Sequence, residues 1–132
     1  MFKINIIYSS EKRIAAEQLE ALFLSVNWSS GQNPIRLSKA LQNHSKVYTA
    51  WDDFKLVGLI SSMDDGIMNA YIQYLLVNPL YQGMGIGSKL LEIITVDYCN
   101  YLNVSLISYE NACGFYEKFG LKFDRNVKSF FL

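Results

Sequence analysis

A mixed α/β domain built on one twisted sheet is the fold class predicted for this chain of 132 residues, on three observations. Apolar runs of strand length alternate with apolar stripes of helical period. Turn signals at Asp52-Asp53 and Asp64-Asp65-Gly66 join three successive strands into an antiparallel meander. From 68 to 108 the order is strand, glycine-rich loop, amphipathic helix, strand, which requires a crossover and a parallel pair. The predicted sheet is therefore mixed and mostly antiparallel. It has six to seven strands, with about four helices on its two faces.

The elements follow in order. Residues 3–8 read as a strand. Ser9-Ser10 offers an N-cap and Glu11 suits the positive end of a helix, whose stripe Ala15, Leu19, Leu22, Val26 extends it over about 11–25. A loop carrying Trp28 and Gly31 follows. Asn33-Pro34 then reads as a cap with proline at the first helical position, and Leu37, Ala40 and Leu41 give that helix its inner face. The meander strands are 46–51, 55–63 and 68–77, and Pro79 stops the last. Leu90, Leu91, Ile94, Tyr98 and Tyr101 mark the crossover helix, and 104–108 is a short apolar strand. Asn111 caps a final helix with inner face Ala112, Phe115, Tyr116 and Phe119, closed by Gly120. Residues 122–132 supply one or two last strands.

Size, charge and cysteine content bound the function. No linker or repeat divides the chain, so residues 1–132 read as one domain. Hydrophobic residues are 51% and charged residues 18%, which excludes intrinsic disorder. Lys+Arg and Asp+Glu both number 12, so no basic excess points to nucleic acid or to a membrane surface. Two cysteines and one histidine cannot make a four-ligand zinc set, and no metal is expected. The start at Met1 is too short and too polar for a signal peptide, and no apolar run approaches the roughly 20 residues of a membrane span. The expected location is the cytoplasm.

The most informative segment is Val77-Asn78-Pro79-Leu80-Tyr81-Gln82-Gly83-Met84-Gly85-Ile86-Gly87-Ser88. It joins a buried strand to a helix. Its glycines allow positive φ and close backbone approach, and the helix start leaves amides unpaired, so the segment suits a phosphate or pyrophosphate. It contains no Gly-Lys pair, which excludes a P-loop, and Ser88 stands where a Gly-x-Gly-x-x-Gly fingerprint needs its third glycine.

Gln82-Gly83-Met84-Gly85-Ile86-Gly87 fits the pattern Gln/Arg-x-x-Gly-x-Gly/Ala, and here the chain resembles the GNAT superfamily of N-acetyltransferases. Leu75-Leu76-Val77 resembles the family's splayed strand. Asn111 to Phe123 resembles its late Asn-x-x-x-x-Tyr-x-x-x-Gly-Phe signature, with Leu121 in the usual Phe place. The resemblance implies a single GNAT-like domain that uses acetyl-CoA as co-substrate.

It also implies roles. Gln82, Gly83, Met84, Gly85, Ile86, Gly87 and Ser88 would hold the pyrophosphate. Leu75 and Val77 would pair with the pantetheine arm, and an amide at Leu76 or nearby would face the thioester oxygen. Tyr116 would contact the cofactor and protonate the leaving sulfur, and Asn111 would add a cofactor contact. The strand before the loop, Tyr71-Ile72-Gln73-Tyr74, carries no carboxylate, so no general base is named. Trp28, Tyr48, Tyr71 and Tyr74 are candidates to line a pocket for a small aryl- or alkylamine. The same fold without a base also suits a non-catalytic acyl-CoA sensor or interaction module. Dimers are common in the family, and Phe130-Phe131-Leu132 adds apolar surface suited to a homodimer.

Overall fold

Residues 4–132 are described by a computed structural model, and their apolar side chains divide between the two faces of one sheet. Lys3, where the first strand is predicted to begin, lies outside the described residues. Strands β1 (Ile6–Ser9), β2 (Lys46–Asp52), β3 (Lys55–Asp64) and β4 (Asn69–Val77) are antiparallel neighbours in chain order, and β5 (Asn103–Leu106) runs parallel to β4. The hairpin turns form where the sequence signals them. Asp53 takes φ 51 and Gly66 φ 79. The Asp65 carboxylate accepts the N–H groups of Ile67, Met68 and Asn69 at 2.8, 2.7 and 3.1 Å, which holds its carboxyl down at about 2.

Helices α1 (Ala16–Ser25) and α2 (Pro34–Asn43) cover one face. They bury Leu19, Leu22, Phe23, Leu37 and Leu41 against Val47, Leu56, Leu59 and Leu76 of the sheet. Helices α3 (Ile86–Asp97) and α4 (Cys113–Phe119) cover the other. There Ile86, Leu90, Leu91 and Ile94 pack on Ala50, Val57, Ile60 and Ile72. Each such leucine or isoleucine contributes ~1.5–3 kcal/mol of burial. The β2–β3 register shifts between Ala50 and Trp51, so Val57 is an extra residue in β3. The next residue, Gly58, lies under α3. A Cβ there would stand 3.0 Å from Ile86 Cγ2, so glycine permits the close approach of helix and strand.

Several expectations fail locally. The helix α1 begins at Ala16 rather than near 11, because Ser9 and Glu11 cap separate turns: Ser9 Oγ accepts the Glu11 N–H and the Glu11 carboxylate accepts the Arg13 N–H. Ala40 is exposed, and Tyr101 lies beyond the end of α3. Asn111 falls inside a short 3-10 turn, Glu110–Ala112, so Ala112 and not Asn111 is the N-cap of α4. Residues 122–132 form no strand, and among the described residues the sheet has five strands rather than six or seven. Charged residues interrupt that tail, and the Asp124 carboxylate accepts the Asn126 N–H, making a turn where a strand would have to run. Among the described residues, no helix is long and apolar enough to cross a membrane, and no His/Cys/Asp/Glu cluster could hold a metal.

Candidate active site

Strands β4 and β5 pair only from Asn69↔Asn103 to Ile72↔Leu106. Beyond Ile72, β4 continues along β3 to Val77 while the chain of β5 turns away. The fork between them opens a cavity of about 760 Å³. The carboxyl ends of parallel strands are where ligands bind in open α/β sheets.

Hydrogen-bond parity decides which backbone groups face this fork. The Asn78 N–H donates to the Val57 carbonyl at 2.8 Å, outside the pair Gly58↔Val77. In an antiparallel ladder, a bond between flanking residues marks the enclosed pair as the non-bonded kind. Leu76 therefore bonds across to Leu59, whereas Leu75 and Val77 turn their backbone groups away from β3 and into the fork. Gln82 Nε2 donates to the Val77 carbonyl at 3.0 Å from that side. A Leu76 amide accordingly cannot face a thioester in the fork; Leu75 offers the nearest one that can.

The loop that closes the mouth of the fork has the geometry its glycines allow. Gly83 and Gly85 take φ 81 and 84, with no atom within 4 Å of the side chain either one lacks. Gly85 caps α3, and its carbonyl accepts the Lys89 N–H at 3.0 Å. The amides of Ile86, Gly87 and Ser88 in the first turn have no intrahelical acceptor, and the helix start carries about half a positive charge. Asn78 Oδ1 accepts the Leu80 N–H at 3.0 Å and shapes the turn Pro79–Tyr81. The Tyr81 hydroxyl donates to Asp52 at 2.5 Å, and the Lys55 ammonium lies 5.5 Å from the Tyr81 ring centre.

Helix α4 forms the opposite wall. Phe115 lies close to Gly87, and Tyr116 lines both the fork and a second cavity of about 390 Å³. Burial, with a smaller contribution from Cys113, pushes the Tyr116 phenol above its ordinary value, so it is protonated at neutral pH. The second cavity is bounded by Trp28, Tyr71, Tyr74 and Tyr109. Trp28 stands 6.1 Å from Tyr74 and 6.4 Å from Tyr109, centre to centre. Tyr74 is braced from behind by Phe23 at 5.0 Å and by the stacked ring of His44 at 6.0 Å, and its hydroxyl shares a 2.9 Å bond with Ser30.

Residues 11–130 of this forked domain match the family described as an acetyltransferase (GNAT) domain. The chain belongs to the GNAT family. It is 29% identical over 96% of its length to GCN5-related N-acetyltransferase 2, chloroplastic, of Arabidopsis thaliana, covering 57% of that protein. It is 30% identical over 96% of its length to the uncharacterized N-acetyltransferase ycf52 of Pyropia yezoensis, covering 76% of it. Among solved structures, a GNAT family acetyltransferase of Streptococcus pneumoniae aligns with a TM-score of 0.77 at 29% identity, over 89% of this chain and 88% of that one. The chain spans little more than half the length of some curated relatives, 51% in one case and 57% in another.

Within this GNAT domain the structure brings most of the sequence-predicted site together. Leu75, Leu76, Val77, Gln82, Gly83, Gly85, Ile86, Gly87, Ser88, Asn111 and Tyr116 all line the fork. Met84 sits between the two left-handed glycines, with its side chain exposed. Trp28, Tyr71 and Tyr74 line the second cavity. Tyr48 does not. It lies on the α3 face of β2 and donates its hydroxyl to the Asp97 carboxylate; burial and that bond push its pKa up to about 12. His44, at the C-terminal end of α2, is buried. Sequence reasoning missed Tyr109, which lines both cavities. Its signal was available: it follows the carboxyl end of a parallel strand.

Proposed function

We propose that the chain is an acetyl-CoA-dependent N-acetyltransferase that acetylates the primary amine of a small molecule by direct attack in a ternary complex. The observation that carries this reading is the fork itself. It combines an inward-facing strand edge at Leu75 and Val77, free helix amides at one end, and the Tyr116 phenol at the junction with a second, aromatic cavity. These groups fit acetyl-CoA, which supplies the acetyl group as a thioester. The amides of Ile86, Gly87 and Ser88 would bind the pyrophosphate, each such bond contributing ~1.5–3 kcal/mol. Leu75 and Val77 would bond the pantetheine arm as a strand is added to a sheet edge, once the Gln82 amide releases the Val77 carbonyl. The Leu75 N–H would face the thioester oxygen as negative charge develops there. Tyr116 would give its proton to the sulfur, and Trp28, Tyr71 and Tyr74 would position the acceptor.

Thermal denaturation with and without acetyl-CoA, followed by thiol release over a panel of amines, tests the reading. A raised melting temperature with amine-dependent thiol release is expected. No shift at saturating acetyl-CoA would remove it.

One observation favours a second reading, a non-catalytic acyl-CoA sensor: among the described residues, no carboxylate lines either cavity. That protein would show the thermal shift without turnover on any amine. In the same proposal the protein works in the cytoplasm, binds neither nucleic acid nor membrane, and pairs as a homodimer through Phe130 and Phe131, which are 92% and 84% exposed. Sedimentation at two concentrations tests the dimer.

A further inference from the structure

We propose that the acceptor is a weakly basic aromatic amine of the aniline class, bound as the free base against Trp28, Tyr74 and Tyr109. The inference rests on the acetyltransferase reading above and names the substrate class for its second cavity.

The cavity's lining decides the chemistry. Six aromatic residues, Trp28, Tyr71, Tyr74, Tyr109, Tyr116 and Phe131, line it together with small polar and aliphatic ones. Among the described residues, no charged side chain lines it. The titratable groups facing a bound amine are the four phenols; Cys113 lies beside Tyr116, and His44 stacks behind Tyr74, with Lys12 donating to the His44 carbonyl at 2.6 Å. An alkylammonium with a lysine-like pKa is unprotonated only about once in a thousand molecules near pH 7.4, a deficit of ~4 kcal/mol. No carboxylate or imidazole in this lining takes its proton, and the rings offset only part of its lost hydration. An aniline nitrogen shares its lone pair with the ring and enters uncharged. The space suits it, since an apolar cavity of about 150 Å³ already holds benzene. One part of the wall is fixed: Tyr74 is held by Phe23, His44 and Ser30 at once.

The step then balances without a carboxylate. The aniline lone pair forms the C–N bond, and the carbonyl π pair moves to oxygen beside the Leu75 N–H. Return of that pair breaks the C–S bond. Tyr116 gives its proton to the departing sulfur, and the phenolate takes the proton that the nitrogen has made acidic. One amine and one thioester become one amide and one thiol, and Tyr116 ends as it began.

The test is kcat/KM by thiol release for para-methoxyaniline and phenethylamine between about pH 6.5 and pH 8.5. The aniline is expected to vary by less than about twofold, whereas phenethylamine rises about tenfold per pH unit as its free base appears. Tyr109→Ala is expected to raise the aniline KM severalfold and Tyr109→Phe to leave it near wild type. A flat or bell-shaped phenethylamine profile would overturn the proposal, because a protein group would then be taking the proton. Turnover of phenethylamine with none of the aniline would overturn it as well, and so would an unchanged KM in Tyr109→Ala. Failure of acetyl-CoA to raise the melting temperature is the separate sign that the acetyltransferase reading itself has failed.

Discussion

Replacing Gly58 by valine tests whether the packing of α3 on β3 holds the loop in its binding geometry. The backbone at Gly58 is not left-handed, so the substitution acts through sterics alone. The new Cβ would meet Ile86 Cγ2 at 3.0 Å, Leu90 Cδ1 at 3.3 Å and the Ala50 Cβ at 3.4 Å. All three neighbours are buried and cannot swing into solvent. Overpacking a core costs ~1–3 kcal/mol, and valine's two methyls place it at the upper end. Restricting the unfolded chain returns ~0.4–1 kcal/mol, which leaves a net loss of about 2 kcal/mol. For a chain of this length that lowers the melting temperature by roughly 6–10 °C. Ile86 begins α3, so moving it also moves the first of the free amides. Losing the worth of about one charge-assisted bond weakens acetyl-CoA binding roughly tenfold. Scanning fluorimetry and a binding titration read the two effects, with Gly58→Ala expected between valine and wild type. A valine variant that melts and binds like wild type would refute the argument that Gly58 sets the helix position.

Three further outcomes are expected. Gly85→Ala forces a left-handed residue at φ 84 with no steric neighbour, so a cost of ~1–2 kcal/mol should come from the backbone alone and appear as a lower melting temperature with weaker acetyl-CoA binding. Tyr116→Phe should reduce turnover by about 10²–10⁴-fold while the thermal shift with acetyl-CoA persists; unchanged turnover excludes Tyr116 as the acid. Burial first, then Lys12, holds the His44 pKa below the ordinary 6.5. Below that pH the unfolded chain binds more protons than the folded one, so this contribution is complete above about pH 6.5 and lost as the pH falls through the lower folded value. Urea midpoints at about pH 7 and pH 5 should therefore differ less in His44→Phe than in wild type, and equal differences would exclude His44 as a cause.

The parts of the fold legible in the sequence are those fixed by local chemistry. Leu19 and Leu22 are one helical turn apart and both are fully buried, and Asp64-Asp65-Gly66 makes its hairpin because Asp65 satisfies the amides beyond it. The glycine loop was legible for the same reason, since positive φ at Gly83 and Gly85 depends on the residues themselves. What depends on neighbours distant in sequence was not. The face that Tyr48 takes is set by its pairing with Ile60 in β3, and the aromatic count alone cannot tell it from Trp28 or Tyr74. His44 is buried by Tyr74, thirty residues further on. Ser9 and Glu11 have cap chemistry that serves a turn equally well. The tail's phenylalanines have strand propensity, but a strand also needs an edge to pair with, and propensity does not report one.

The Gln82 amide on the Val77 carbonyl also bears on how the protein behaves at high concentration. Where β4 leaves β5, its outward edge would otherwise present bare peptide groups, the template on which strands of other molecules add. A side chain from the protein's own loop covers one of these groups, at 3.0 Å. A stray strand must first displace that side chain. In the proposed binding mode an arriving acyl-CoA would do the same, but it would also gain the helix amides at the mouth. The same hydrogen bond would thus guard against self-association until the proposed cofactor lifts it. Gln82→Ala is accordingly expected to raise light scattering on storage without ligand, and acetyl-CoA should suppress the increase.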